Sequence, residues 1–272
     1  MDRVETQVGT VVYRRAGAGE PVVLLHGGLS DGRSWTPQLE SLGNEYDVVA
    51  WDAPGCGGSD DPTADLRLAD YADAVAALVR ALGVGPVHLA GHSFGAGLAI
   101  DVYGRHRQLV RSLALSGAYA GWRGSLPPAE VDARLNRALA ELDQPPAAWV
   151  DSYLSGFFSR SVPPATVEAA RTMMLDVRPA GTLAMLTAFA NADLRAVLPT
   201  IAVPTLLIYG AEDVRAPLEV AQALHAQIPG SQLILVPAAG HDVNLEAPRE
   251  YDAALRAFLR TVDGGYAPLQ NR

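Results

Sequence analysis

Gly91-His92-Ser93-Phe94-Gly95 sets a serine between two glycines, the G-x-S-x-G spacing in which a hydroxyl can serve as a nucleophile. An apolar run, Val87 to Ala90, precedes it, and a helical run, Ala96 to Tyr103, follows. A serine in a tight strand-to-helix turn projects its hydroxyl above a sheet. Such a turn tolerates little bulk two residues to either side, where Gly91 and Gly95 stand. The first amides of the following helix favour negative charge developing beside that hydroxyl. The chemistry is nucleophilic attack on a carbonyl, which needs a base and an acid to orient it.

His241, in Ala239-Gly240-His241-Asp242, follows the apolar run 233–236. Asp213, in Tyr209-Gly210-Ala211-Glu212-Asp213, follows the run 206–209. Ser93, Asp213 and His241 are thus expected at the carboxyl ends of strands, the edge where open α/β sheets collect their ligands. Their order along the chain is the one expected of a triad on such a sheet. Glu212 stands one residue early, and Asp242 lies beside the base rather than across from it. The other place for an acid, after 113–115, reads Ser116-Gly117-Ala118 and holds no carboxylate.

An oxyanion needs two backbone donors aimed at one point. The amide of Phe94 is one. Gly28, in the loop His26-Gly27-Gly28, is the expected second, with Leu29 as the alternative. His26 is expected to hold that loop by hydrogen bonds. His88 reads as a core residue, His106 and His225 as solvated, and His92 as a packing residue beside the nucleophile. No cluster has metal-ligand spacing, so no catalytic metal is expected.

The elements that must position these groups alternate. Runs at 22–25, 48–50, 87–90, 113–115, 206–209 and 233–236 are apolar apart from His88 and do not alternate, as expected of strands of a parallel sheet covered on both faces. Thr10-Val11-Val12-Tyr13-Arg14 alternates and reads as an antiparallel strand starting the sheet. Tyr71, Val75, Leu78, Val79 and Leu82 recur at helical spacing over 69–82, before Gly83. Strand then helix, repeated, means a doubly wound α/β sheet. Residues 119–198 break the rhythm. Pro127-Pro128, Pro145-Pro146 and Pro163-Pro164 each precede a helical pattern, so this stretch reads as a helical cap inserted into a core of 1–118 and 199–272. The last ten residues read as a loose tail.

Of 272 residues, 49% are hydrophobic and 19% charged, with 30 acidic against 21 basic side chains and a net charge of -9. That balance, without basic clusters, argues against nucleic acid and anionic lipid as partners. All 21 basic residues are arginine. The single cysteine, Cys56, excludes an internal disulfide and reads as a small filler. No secretory pattern opens the chain and no apolar stretch approaches ~20 residues, so a cytoplasmic protein is expected, as either a monomer or a homodimer.

His26-Gly27-Gly28, Asp52-Ala53-Pro54-Gly55-Cys56-Gly57-Gly58-Ser59, the Ser93 turn, the Gly-x-x-Asp ending at Asp213 and Gly240-His241 together resemble the α/β-hydrolase superfamily. More narrowly, they are similar to its small, cofactor-independent esterases and lactonases with a helical cap, enol-lactonases among them. The resemblance spans about residues 10 to 260. It implies an eight-stranded, mostly parallel sheet, a triad of Ser93, Asp213 and His241, a cap that shapes the pocket, and a structural, turn-forming Asp52. Because the nucleophile is serine, reaction through an aspartyl ester, as in haloalkane dehalogenases, is not expected. The motifs of proline iminopeptidases are missing.

The expected reaction is hydrolysis of a small or medium ester or lactone. The same constellation would serve cofactor-free cleavage of a carbon–carbon bond, perhydrolysis, or a cyclisation or release step. A non-enzymatic ligand receptor is the remaining alternative. Trp122, Trp149, Tyr153, Phe157, Phe158, Met173, Met174 and Phe189 suggest a mostly apolar pocket, and Leu29, Tyr119, Trp122 and Val243 are the expected substrate contacts. An arginine in the cap could instead grip a substrate carboxylate.

Overall fold

The structure is a computed structural model describing residues 1–62 and 65–265. One sheet is built from β1 (Asp2–Thr6), β2 (Gly9–Ala16), β3 (Pro21–Leu25), β4 (Asp47–Trp51), β5 (Val87–His92), β6 (Val110–Ser116), β7 (Thr205–Gly210) and β8 (Gln232–Val236). The helices of the first half are α1 (Thr36–Leu42), α2 (Leu68–Ala81), α3 (Phe94–His106), α4 (Trp122–Ser125) and α5 (Pro128–Leu142). Those of the second are α6 (Val150–Phe157), α7 (Pro164–Leu175), α8 (Pro179–Ala190), α9 (Leu218–Gln227), α10 (Val243–Glu246) and α11 (Pro248–Asp263). Across the sheet the order is β1-β2-β4-β3-β5-β6-β7-β8. The β1–β2 and β2–β4 pairs are antiparallel and the others parallel.

Every residue of β3 and β4 is buried, as uninterrupted apolar strands require. Alternate side chains serve two cores. Val23, Leu25 and Leu89 face one with α2 and α3. Val22, Leu24 and Ala90 face the other with Tyr251, Leu255 and Phe258 of α11. The 10–14 alternation becomes β2. No apolar pattern announced β1, because its residues are exposed or half-buried and it is held mainly by backbone pairing with β2. The tail expected at 263–272 falls mainly outside the described residues.

Between β6 and β7 the described chain forms helices only, α4 to α8. Pro128 and Pro164 open α5 and α7, and Pro146 opens a single 3-10 turn before α6. Proline fits there because a helix's first amides have no internal acceptor. This insertion rests on the core through α8, which packs against α2 and α3. Phe189 of α8 lies so close to Gly97 of α3 that a β-carbon there would sit 2.3 Å from its ring.

Asp52, at the carboxyl end of β4, is wholly buried. Its Oδ1 accepts from the Gly32 amide at 2.8 Å and from Arg14 Nη1 at 2.5 Å, and its Oδ2 from the Gly58 amide at 2.9 Å. One carboxylate therefore ties the loop after β3 to the loop after β4. Asp52→Ala would leave two amides and a guanidinium unpaired, at a cost of about 3 kcal/mol or more. Urea unfolding should show the midpoint fall by that equivalent. Cys56 lies buried in the same turn, where burial pushes its thiol pKa up, as suits a filler and not a reactive thiolate.

Candidate active site

Strand β5 ends in the turn that holds Ser93, whose φ of 50° and ψ of −111° lie outside the ordinary regions for a residue with a side chain. Holding a non-glycine residue there costs about 1–3 kcal/mol, and the neighbours must enforce it. The two glycines make the turn possible. A β-carbon at Gly91 would stand 2.2 Å from the Gly95 carbonyl oxygen, and one at Gly95 would stand 2.1 Å from that of Leu25. The Ser93 amide donates to the Ser116 carbonyl at 2.8 Å, fixing the turn to β6. Phe94 opens α3, so its amide has no acceptor within the helix.

His241 follows β8 and Asp213 follows β7. Parallel pairing from Leu206 with Gln232 to Gly210 with Val236 brings their loops side by side. His241 Nδ1 meets Asp213 Oδ2 at 2.8 Å, with both side chains 1% exposed. Asp213 Oδ1 accepts from the amides of Arg215 and Ala216, each at 2.8 Å. Burial opposes ionisation of Asp213, but the facing imidazole and these donors outweigh it and hold the carboxyl below its ordinary pKa. Burial also lowers the His241 pKa, against the pull of Asp213. An engaged Nδ1 leaves Nε2 as the nitrogen available to take a proton. Ser93 and His241 line one cavity of about 290 Å³. The hydrogen bond between them is not formed among the described residues; such links commonly tighten only when substrate binds.

The His241 shift has a sign that can be measured. A base must be neutral to accept a proton, and a lowered pKa keeps it neutral further into acid. The acid limb of kcat/KM should therefore inflect below 6.5, the ordinary histidine value. Inflection above 6.5 would contradict His241 as the base.

Gly28, Leu29 and Phe94 line the same cavity beside Ser93, and Leu29 takes a left-handed φ of 60°. Leu25 pairs with Gly91, which sets the loop of Gly28 against the Ser93 turn. His26 holds that loop as expected: its Nδ1 meets the Gly27 carbonyl at 2.8 Å, and its Nε2 accepts from the Ala53 amide at 2.9 Å. Tyr119 and Trp122 also reach the cavity, with Tyr153, Phe157, Leu186 and Phe189. Val243 does not. It is fully buried in the core of α11 on the other face of the sheet, because α10 turns it away from the His241 loop. Trp149, Met173 and Met174 are buried packing residues of the insertion.

Two histidines differ from expectation. His106 is not solvated: it pairs with Asp73 at 2.6 Å and is 17% exposed. His92 does more than pack. Its Nε2 meets Asp242 Oδ1 at 2.8 Å, and its ring lies 4.8 Å from that of His241. A second buried His–carboxylate pair thus stands against the first. Arg134, Arg137 and Arg215 also line the cavity. The first two belong to the insertion, but Arg215 comes from the Asp213 loop, where no sequence pattern pointed to it.

A model of the alpha/beta hydrolase fold matches residues 20–248. The chain is 29% identical over 260 residues to the (E)-2-((N-methylformamido)methylene)succinate hydrolase of Acinetobacter baylyi, covering 93% of this chain and 95% of that one. A thermophilic esterase from Thermogutta terrifontis, solved with malate bound, superposes with a TM-score of 0.89 at 28% identity, over 96% of this chain and 99% of that one. The enol-lactonase of Burkholderia xenovorans superposes with a TM-score of 0.86 at 22% identity, over 95% and 99% of the two chains, a likeness of fold. No described helix is long and apolar enough to cross a membrane.

Proposed function

This chain belongs to the alpha/beta hydrolase fold family, and from that premise we propose that it is a serine hydrolase cleaving a small to medium carboxylic ester or lactone. One observation carries the reading: Ser93, strained at the end of β5, and His241, held by buried Asp213, open on a single cavity. Ser93 Oγ attacks the acyl carbon while its proton passes to His241 Nε2. The amides of Phe94 and Gly28 receive the oxyanion. Collapse breaks the acyl–oxygen bond, and the proton on His241 leaves with the alkoxide as the alcohol. Water, deprotonated by the same imidazole, then attacks the acyl-enzyme, which releases the carboxylic acid and restores Ser93. Asp213 fixes the tautomer and stabilises the transient imidazolium.

Cavity size sets the scale. About 290 Å³ lies at the lower edge of the ~300–1,000 Å³ usual for ligand pockets, so short acyl groups fit best. The relative from Acinetobacter, named for a formamido-bearing substrate, favours a second reading in which the same groups cleave an acyl C–N bond. The test is turnover of p-nitrophenyl esters from acetate to dodecanoate by wild type and Ser93→Ala, with an N-acyl analogue of the best acyl group alongside. Ester turnover confined to wild type and greatest at short chains supports the proposal. Turnover of the N-acyl compound alone moves it to the second reading.

A further inference from the structure

We infer that the guanidinium of Arg215 is an anion-binding group of this cavity, and that the substrate carries a carboxylate near its scissile acyl bond. The inference rests on the Ser93 reading above and adds the class of substrate to it. The chain as a whole is acidic, with 30 carboxylate side chains against 21 arginines. Around Ser93 the balance reverses: the described lining holds three arginines and neither aspartate nor glutamate.

Two of these arginines have partners. Arg134 pairs with Glu130 at 2.7 Å and donates to the Tyr119 hydroxyl at 3.1 Å. Arg137 pairs with Glu141 at 2.9 Å. Each is an i,i+4 pair on α5, so its charge is answered on its own helix. Arg215 is different. Among the described residues its guanidinium makes no ion pair and no hydrogen bond. It lies instead against aromatic faces, 4.3 Å from the centre of the Phe157 ring and 5.5 Å from that of Tyr153. Burial lowers its pKa, with the neighbouring Arg134 charge adding to that effect, as expected of a cation short of acceptors. Asp242, a carboxylate that also bears on it, is engaged by His92.

The backbone holds this group in place. The Arg215 amide donates to Asp213 Oδ1, and its carbonyl accepts from the Tyr119 hydroxyl and from Arg134 Nη2. A loop pinned at both ends, with the side chain stacked on rings, presents its N–H donors at little further entropic cost. A carboxylate matches the guanidinium fork with two parallel hydrogen bonds, and it would supply the acceptor that the protein does not. A neutral chain of the same length would leave those donors unpaired. Charge at Arg215 thus selects among substrates that Ser93 could attack equally well.

The experiment compares mono-p-nitrophenyl glutarate with p-nitrophenyl pentanoate, whose acyl chains are equal in length and differ in a terminal carboxylate. Wild type should prefer the glutarate in kcat/KM by about 10-fold or more, and Arg215→Met should lower that preference about 10- to 100-fold, mainly through KM. Arg215→Lys should restore part of it. If Arg215 only packs, methionine would preserve the aromatic contact and the preference would not change. No preference in wild type, or one that survives Arg215→Met, overturns the inference. Labelling of Ser93 by a fluorophosphonate separates this from failure of the underlying reading. Where Ser93 labels but neither ester turns over, protection by glutarate and not by 1,5-pentanediol, lost in Arg215→Met, supports the site; equal labelling rates overturn it. An unlabelled Ser93 overturns both.

Discussion

Ser93→Ala should lower ester turnover by about 10⁴- to 10⁶-fold while leaving the fold intact, the largest effect of any single substitution in this chain. The size follows from what is removed. Without Oγ no acyl-enzyme can form, and in the proposed mechanism the remaining rate comes from water attacking a substrate held by the amides of Phe94 and Gly28. Stability should barely move. Alanine inherits the same φ of 50°, and the Ser93 amide keeps its bond to the Ser116 carbonyl. Turnover and thermal unfolding measured on the same preparation therefore separate chemistry from folding. A variant that hydrolyses p-nitrophenyl acetate at the wild-type rate would place the nucleophile elsewhere.

Local signals made the centre of this site readable. The glycines of the Ser93 turn announce it: a β-carbon at Gly91 would strike the Gly95 carbonyl oxygen four residues on, and one at Gly95 would strike the Leu25 carbonyl of the neighbouring strand. Asp213 could be placed because the strand before it is buried on both faces. His241 could be placed because the apolar run before it pairs in parallel with that strand, although β8 leaves Leu235 exposed, so both loops emerge at one edge. What stayed hidden depends on the direction of a side chain across elements. Arg215 is two residues from Asp213, but nothing local says that its guanidinium turns to Phe157 of the insertion. Val243 is two residues from His241 and faces the opposite core. In each case spacing along the chain gave proximity, whereas the turn of a short loop decided which side of the sheet was reached. β1 was hidden for a simpler reason: an edge strand that buries little has no apolar pattern to show.

Two carboxylates next to two histidines invite a direct comparison. Asp213→Asn should cost about 10⁴-fold in kcat, and Asp242→Asn less than about 10-fold. The geometry makes the two losses unequal. Asp213 is the acceptor for His241 Nδ1, and its other oxygen is already taken by the amides of Arg215 and Ala216. Those amides would hold the oxygen of an asparagine in place and turn its NH₂ toward His241. The imidazole must then accept at Nδ1 and carry its proton on Nε2, where it cannot take one from Ser93. Asp242 engages His92 instead. The His92 ring stands 4.8 Å from that of His241, and its other nitrogen lies 3.3 Å from the Ser116 hydroxyl, so it buttresses the base without sharing its proton. Losing Asp242 loosens that support and leaves the tautomer of His241 unchanged. The two kcat values, measured with the best short-chain ester, decide which pair does the chemistry. If Asp242→Asn were the more damaging, the proton would have to travel through His92, and Asp213 would be the structural member.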